Sequence, residues 1–151
     1  MPTPERNRAK VTGRGKLPPF AAIPRHILES PEFGSLSGNA VKLLVELLGQ
    51  FRGGNNGDLQ LAWRFMSNRG WKSKGTLHSA KSELIEHGWL ICTRQGGKHR
   101  PSLFAISWLP IDECKGKHDV LPESTASNLW KKTQTQVAIR ANQPAIRANR
   151  H

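Results

Sequence analysis

The clearest helical period in the chain lies between Gly38 and Phe51. Apolar residues fill positions 40, 41, 43, 44, 45, 47, 48 and 51, and the polar residues Asn39, Lys42, Glu46 and Gln50 recur three or four apart in one narrow stripe. A helix this apolar is the central helix of a small domain and is buried on most sides. Ser37 stands where its N-cap belongs. Upstream, Pro24 opens a short helical stretch with Ile27 and Leu28 turned inward, Pro31 ends it, and Phe33 and Leu36 return the chain to the core. Downstream, Gly53-Gly54-Asn55-Asn56-Gly57 breaks the helix, and Asp58 to Leu61 alternates as a very short strand would.

Two further helices follow. Ala62 to Arg69 places Trp63 and Met66 inward, and Gly70-Trp71-Lys72 forms a turn. Ser73 is the next N-cap, and a helix runs from Lys74 to about His87 with Leu77, Ala80, Leu84 and Ile85 on one face. Gly88 suits a left-handed cap. Two strands come next: Trp89 to Arg94, with Leu90 and Cys92 inward, and Leu103 to Trp108, with Phe104, Ile106 and Trp108 inward at period two. The loop between them, residues 95–101, opens on glycines and carries Lys98, His99 and Arg100. Leu109-Pro110 closes the domain. Trp63, Trp89 and Trp108 fit the helix–sheet interface as core or boundary residues rather than as a base-stacking site.

Outside residues 20–110 the apolar pattern fails. Residues 1–19 are expected to be a flexible basic arm, and residues 111–151 a mostly disordered basic tail with a short helix at 124–132 anchored by Leu129 and Trp130. The tail holds a direct repeat, Ala138-Ile139-Arg140-Ala141-Asn142 and Ala145-Ile146-Arg147-Ala148-Asn149, too short to build a solenoid.

The element order is α+β. Helix, short strand, helix, turn, helix and hairpin make a winged helix-turn-helix: a three-helix core plus a two- to three-stranded antiparallel wing, with flexible basic extensions at both ends. Charge sharpens this reading. The 151 residues hold 23 Lys and Arg against 11 Asp and Glu, a net charge of +12. Residues 1–19 carry five basic residues against one acidic, residues 64–100 eight against two, and the last 21 residues five against none, whereas residues 20–63 carry three against four. Basic blocks on an arm, on the second half of the domain and on a tail suit a polyanion, above all nucleic acid. An α-helix fits the major groove of duplex DNA, and the hairpin reaches adjacent phosphates. Arg94, Lys98, His99 and Arg100 are the expected phosphate contacts of the hairpin.

Other classes fall away. No apolar run is long enough to span a membrane, the N-terminal stretch has no apolar segment behind its charge, and two cysteines fit a reducing cytoplasm. The six histidines do not pair with Cys or carboxylates at metal spacing, and Cys114-x-x-x-His118 supplies two ligands where structural zinc needs four. No phosphate-cradling glycine loop and no acidic cluster for a divalent metal occurs, so no enzyme, metal or cofactor is expected.

Several blocks resemble a known group. Leu59-Gln60-Leu61-Ala62-Trp63-Arg64, Ser73-Lys74-Gly75-Thr76, Gly88-Trp89-Leu90 and Ser107-Trp108-Leu109-Pro110 are similar to bacterial and phage winged helix-turn-helix proteins of the replication-protein-like type found on mobile elements. Ala22 to Leu36, Ser37 to Leu44 and Asn55 to Leu59 share the resemblance, which covers about residues 20–110. It implies that Thr76 contacts a phosphate at the start of the recognition helix, that His78 and Ser79 face base edges, and that Ser82 lies one turn further along. It also implies that Lys74 adds backbone charge and that Arg64 holds a phosphate or a structural partner. Helical geometry independently sets Gly75, His78, Ser79 and Ser82 opposite the Leu77–Leu84 face. The chain departs from the group at Ser79, where Arg is frequent, at Lys81, usually apolar, at Ile85, usually polar, and at Trp71, usually small. The implied partner is double-stranded DNA, in replication initiation or transcriptional regulation of a phage or plasmid. The tail would recruit a replication or transcription partner protein, and the chain would form a homodimer on DNA. The competing reading is a winged-helix module that binds protein; structured RNA is a third, disfavoured because the sheet aromatics point to the core.

Overall fold

The computed structural model describes residues 17–131. The arm up to residue 16 and the tail from residue 132, including the repeat, lie outside them.

The fold is mixed α+β. Helix α1 (Arg25–Leu28) and α2 (Pro31–Gly34) are two short turns joined at Ser30, whose hydroxyl donates to the Ile27 carbonyl at 2.6 Å and accepts the Phe33 N–H at 3.1 Å. Pro31 therefore starts a helix where the sequence suggested an end. Its fixed φ and missing N–H suit a first helical position as well as they suit a stop. Ile27 is buried, but Leu28 is half exposed. Helix α3 (Gly38–Gln50) runs through the centre, capped by Ser37 on the Ala40 N–H, with Ala40, Leu43, Leu44, Leu47 and Leu48 buried. It is open on one side, where Val45 is 49% exposed.

Strand β1 (Leu59–Gln60) lies on one edge of a three-stranded antiparallel sheet. Its free side is capped by Gln50, whose amide exchanges two hydrogen bonds with the Gln60 backbone at 2.8 and 2.9 Å. After α4 (Trp63–Met66), a turn of 3-10 helix (Ser67–Arg69) ends at Gly70, and α5 (Lys74–Glu86) follows. The hairpin β2 (Leu90–Arg94) and β3 (Leu103–Ile106) completes the sheet, in the order β1-β3-β2. Leu59 and Cys92 both face Phe104, and a bulge interrupts the register between Cys92 and Arg94. The core joins α1, α3, α4 and α5 to one face of this sheet. The layout is compatible with a winged helix.

The other sheet face is also covered, which the period-two pattern did not anticipate. All four residues of β3 are buried. The cover is the segment 111–131, expected to be disordered. Its Asp119 N–H donates to the Thr93 carbonyl at 2.9 Å, and its Asn128 N–H to the Ser107 carbonyl at 2.9 Å. At its far end the segment returns to the main core, where Trp130 is 3% exposed and stacks on Trp89, with ring centroids 5.0 Å apart and planes at 14°. The folded unit thus runs past Pro110 at least to Lys131, and its terminal helical turn begins at Leu129, not at 124. Asn56 locks the near end of this strap. Fully buried, it accepts the Ile106 N–H at 2.8 Å and donates to the carbonyls of Ile106, Leu109 and Pro110, while its own N–H donates to the Asp112 carboxylate. Among the described residues, no helix is long and apolar enough to cross a membrane.

Candidate functional site

Helix α5 is the element on which most of the expected site residues sit, and α3 fixes its position. Two residues from the polar stripe of α3 grip the turn before it. Lys42 donates to the Arg69 carbonyl at 2.7 Å and lies over the Trp71 ring, 4.8 Å from its centroid. Glu46 pairs with the Arg69 guanidinium at 2.8 Å. Trp71 is thereby buried as a wedge, which accounts for a bulky residue in a turn. Near the other end, both oxygens of Glu83 accept from Ser37, one from the N–H at 2.8 Å and one from the hydroxyl at 2.7 Å. Burial alone would raise the Glu83 pKa. The Ser37 hydrogen bonds and the nearby His87 outweigh it and hold the carboxyl below its ordinary value.

Leu77, Ala80 and Leu84 form the inward face of α5. Ile85, expected with them, is 39% exposed, because the buried stripe of a two-neighbour helix is narrower than the apolar residues along it. Lys74, Gly75, Thr76, His78, Ser79 and Ser82 are exposed, as is Arg64 on α4. The Thr76 hydroxyl lies 3.1 Å from that of its cap, Ser73. The side chains of Arg64, Lys74, His78, Ser79 and Ser82 make no hydrogen bond or ion pair among the described residues.

This outer ridge of α5 stands between two clefts. One, of about 310 Å³, opens between α5 and the sheet and includes Lys74, His78 and Lys81 together with Ser102 at the base of the hairpin. The other, of about 420 Å³, opens toward the start of α3 and includes Asn39, Gly75, Thr76, Ser79 and Glu83.

At the hairpin tip, the Gly97 N–H donates to the Arg100 carbonyl at 3.0 Å, which turns Lys98, His99 and Arg100 into solvent. Gly96 is obligatory there, since a Cβ would collide with the backbone of Ser102. Arg94 does not join these residues. It is half-buried, and its guanidinium donates to the carbonyls of Lys117 at 3.2 Å and Pro101 at 2.8 Å. The bulge at residues 92–94 and the docked strap turn it into a clamp between hairpin and strap.

Cys114 and His118 meet against Gly57, whose φ of +125° favours glycine and where a Cβ would come within 2.9 Å of the His118 ring. The His118 ring nitrogen Nε2 lies 2.6 Å from the Asp112 carbonyl, and burial, with Asp58 and Asp112 beside it, pushes the Cys114 thiol pKa up. The pair fastens the strap. Among the described residues, no group of three or more potential metal ligands forms.

Three residues that shape the candidate site carry no local signal in the sequence. Glu83 and Asn56 act through contacts 46 to 56 residues away, which no local pattern reports. Lys81 reads in the sequence only as a charge at a usually apolar position; it lines the cleft beside the sheet. Compared with family models, curated proteins and solved structures, the chain has no match.

Proposed function

We propose that the chain is a winged helix-turn-helix DNA-binding protein and not an enzyme. In this reading α4, the turn and α5 are the helix-turn-helix, α5 enters the major groove, and the β2–β3 hairpin lies on neighbouring phosphates. Its setting is replication initiation or transcriptional regulation on a phage, plasmid or other mobile element. The observation that carries the reading is the uncommitted ridge of α5: Lys74, His78, Ser79 and Ser82 project between two clefts with no partner among the described residues, and Lys98, His99 and Arg100 are exposed at the hairpin tip. Duplex DNA offers a helix base edges and phosphates at that spacing. Arg64 supplies a further phosphate contact from α4, and the start of α5 offers Thr76.

The test is selection of bound duplexes from a random pool by the full chain at about 150 mM salt. An enriched motif that fades in the Ser79→Glu, Ser82→Glu variant supports base reading by α5. Its position at an origin or a promoter separates replication from transcription. With about six phosphates neutralised, log K falls against log salt with a slope near −5; a slope shallower than about −2 removes the extended phosphate interface. No binding at all would favour the protein-interaction module.

A further inference from the structure

The cleft between α5 and the sheet has a composition that reading a duplex does not require. Its depth is apolar: Trp63 is only partly buried, and Leu77 and Phe104 close the bottom. Its rim carries two cations, Lys74 and Lys81, with His78 between them along one side of α5. No carboxylate lines it, and neither lysine takes part in an ion pair among the described residues. Seven residues separate the two lysines, about 10 Å along the helix axis, so their side chains can converge from the two ends of the cleft. An apolar recess edged by uncompensated ammonium groups selects a ligand with a flat apolar ring and an attached anion. A volume of about 310 Å³ is enough for one base with its sugar. A paired, stacked base cannot enter, since its faces are covered by its neighbours.

We propose that this cleft binds one unpaired nucleotide, with the base against Trp63 and Leu77 and the phosphate held by Lys74 and Lys81. The inference rests on the DNA-binding reading and deepens it. The ridge of α5 reads the duplex, and the cleft on the side facing the sheet holds a single nucleotide beside it; where that nucleotide belongs to a separated strand, one chain holds the junction of paired and unpaired DNA. The nucleotide comes either from such a strand or from the free mononucleotide pool.

The test uses the full chain labelled with ¹⁵N and two probes in turn, a ten-residue oligothymidylate and thymidine monophosphate. The expected result is movement of the Trp63 indole N–H signal and of the Leu77 and Lys81 amides. Trp63→Leu changes no charge and should weaken oligothymidylate binding at least about fivefold, the lower range for loss of one base–aromatic stack, while duplex affinity stays within about twofold. Lys81→Gln repeats the test without touching the core side of Trp63. An oligomer at least about tenfold tighter than the monophosphate identifies a DNA strand as the source, and equal affinities identify the free nucleotide. Absence of shifts at Trp63, Leu77 and Lys81 with both probes overturns the proposal. Duplex binding measured on the same samples separates the two ideas, since it survives if only the cleft reading is wrong.

Discussion

Trp130 carries the sharpest consequence of the fold, because the strap it anchors lies in a segment without any apolar period. It is 3% exposed and packs face to face on Trp89 at 5.0 Å, with His26 at 6.4 Å. A tryptophan buries about 200 Å², worth roughly 5 kcal/mol at ~25 cal/mol per Å². Compactness of the unfolded chain lowers this by about a quarter. Trp130→Ala should therefore destabilise the protein by about 3–4 kcal/mol, within the span of aromatic-to-alanine changes in cores, and lower Tm by about 10–20 °C. Urea unfolding followed by far-UV circular dichroism reads the loss. Near-UV circular dichroism reads the Trp89–Trp130 pair directly and should lose amplitude in the folded variant. Trp130→Phe keeps a ring on Trp89 and should retain more than half of the stability. A Trp130→Ala protein within about 1 kcal/mol of the parent, well below the ~3 kcal/mol of a core aromatic loss, with an unchanged near-UV spectrum, would show that the strap is not docked.

Other consequences follow from single contacts. Asn56→Ala removes the partner of the Ile106 N–H and a donor from three carbonyls, of which that of Ile106 still accepts the Leu109 N–H, and should cost about 3 kcal/mol in urea unfolding; a loss under about 1 kcal/mol would mean that other groups take over. Glu83 has a folded pKa below its unfolded value, so its contribution is present above the ordinary carboxylate range and is lost as pH falls through it. Glu83→Gln should remove on the order of 0.5 kcal/mol at pH 7 and flatten the stability profile between about pH 5 and 3, and an unaltered profile would refute the link to Ser37. Lys98→Glu with Arg100→Glu should make the salt slope of duplex binding shallower by about 2, whereas Arg94→Met should lower stability and leave that slope alone; equal effects on the slope would return Arg94 to the interface.

What the chain discloses locally and what it hides divide along the range of the interactions. Ser37 and Ser73 announce α3 and α5 because an N-cap works within four residues. The apolar stripe of α5 announces its inward face for the same reason, as does the glycine-opened turn between β2 and β3. The strap has no such signature: it is held by backbone hydrogen bonds to Thr93 and Ser107 and by isolated anchors at Ile111, His118 and Trp130. Such contacts leave no period in the sequence. The burial of Ala105 and Leu103 was hidden with it, since alternation in β3 shows only when one face meets water. Asn56 reads as one more turn residue in a glycine-rich loop; only the fold shows that its amide is the joint between sheet and strap. Of the expected site, the α5 ridge apart from Thr76 and the hairpin tip keep their side chains uncommitted among the described residues, and Arg94 is spent on the strap. The cleft is invisible in the sequence because Trp63 and Lys81 are eighteen residues apart, Trp63 reading as an inward core residue and Lys81 as a charge at a usually apolar position.

The way α5 is held bears on how it would read DNA. Leu77, Ala80 and Leu84 sink it into the core, Glu83 ties it to the start of α3, and Lys42 with Glu46 fixes the turn in front of it. A helix fastened at both ends has little freedom to adjust to a base sequence. Its exposed ridge also offers short hydroxyls, Ser79 and Ser82, which cannot make the two parallel hydrogen bonds by which an arginine selects guanine. Discrimination between duplexes should then be weak for the native chain, with most affinity supplied by phosphates. Ser79→Arg tests this reasoning by gain rather than loss. Placed on a rigid ridge at the base edges, the guanidinium should favour sites with guanine at one position by about 1–3 kcal/mol over their variants. Selection from the same random pool by parent and variant would read that preference as a new fixed position in the motif. If Ser79→Arg strengthens binding to every sequence alike, the added charge is meeting phosphate, and Ser79 does not face the bases.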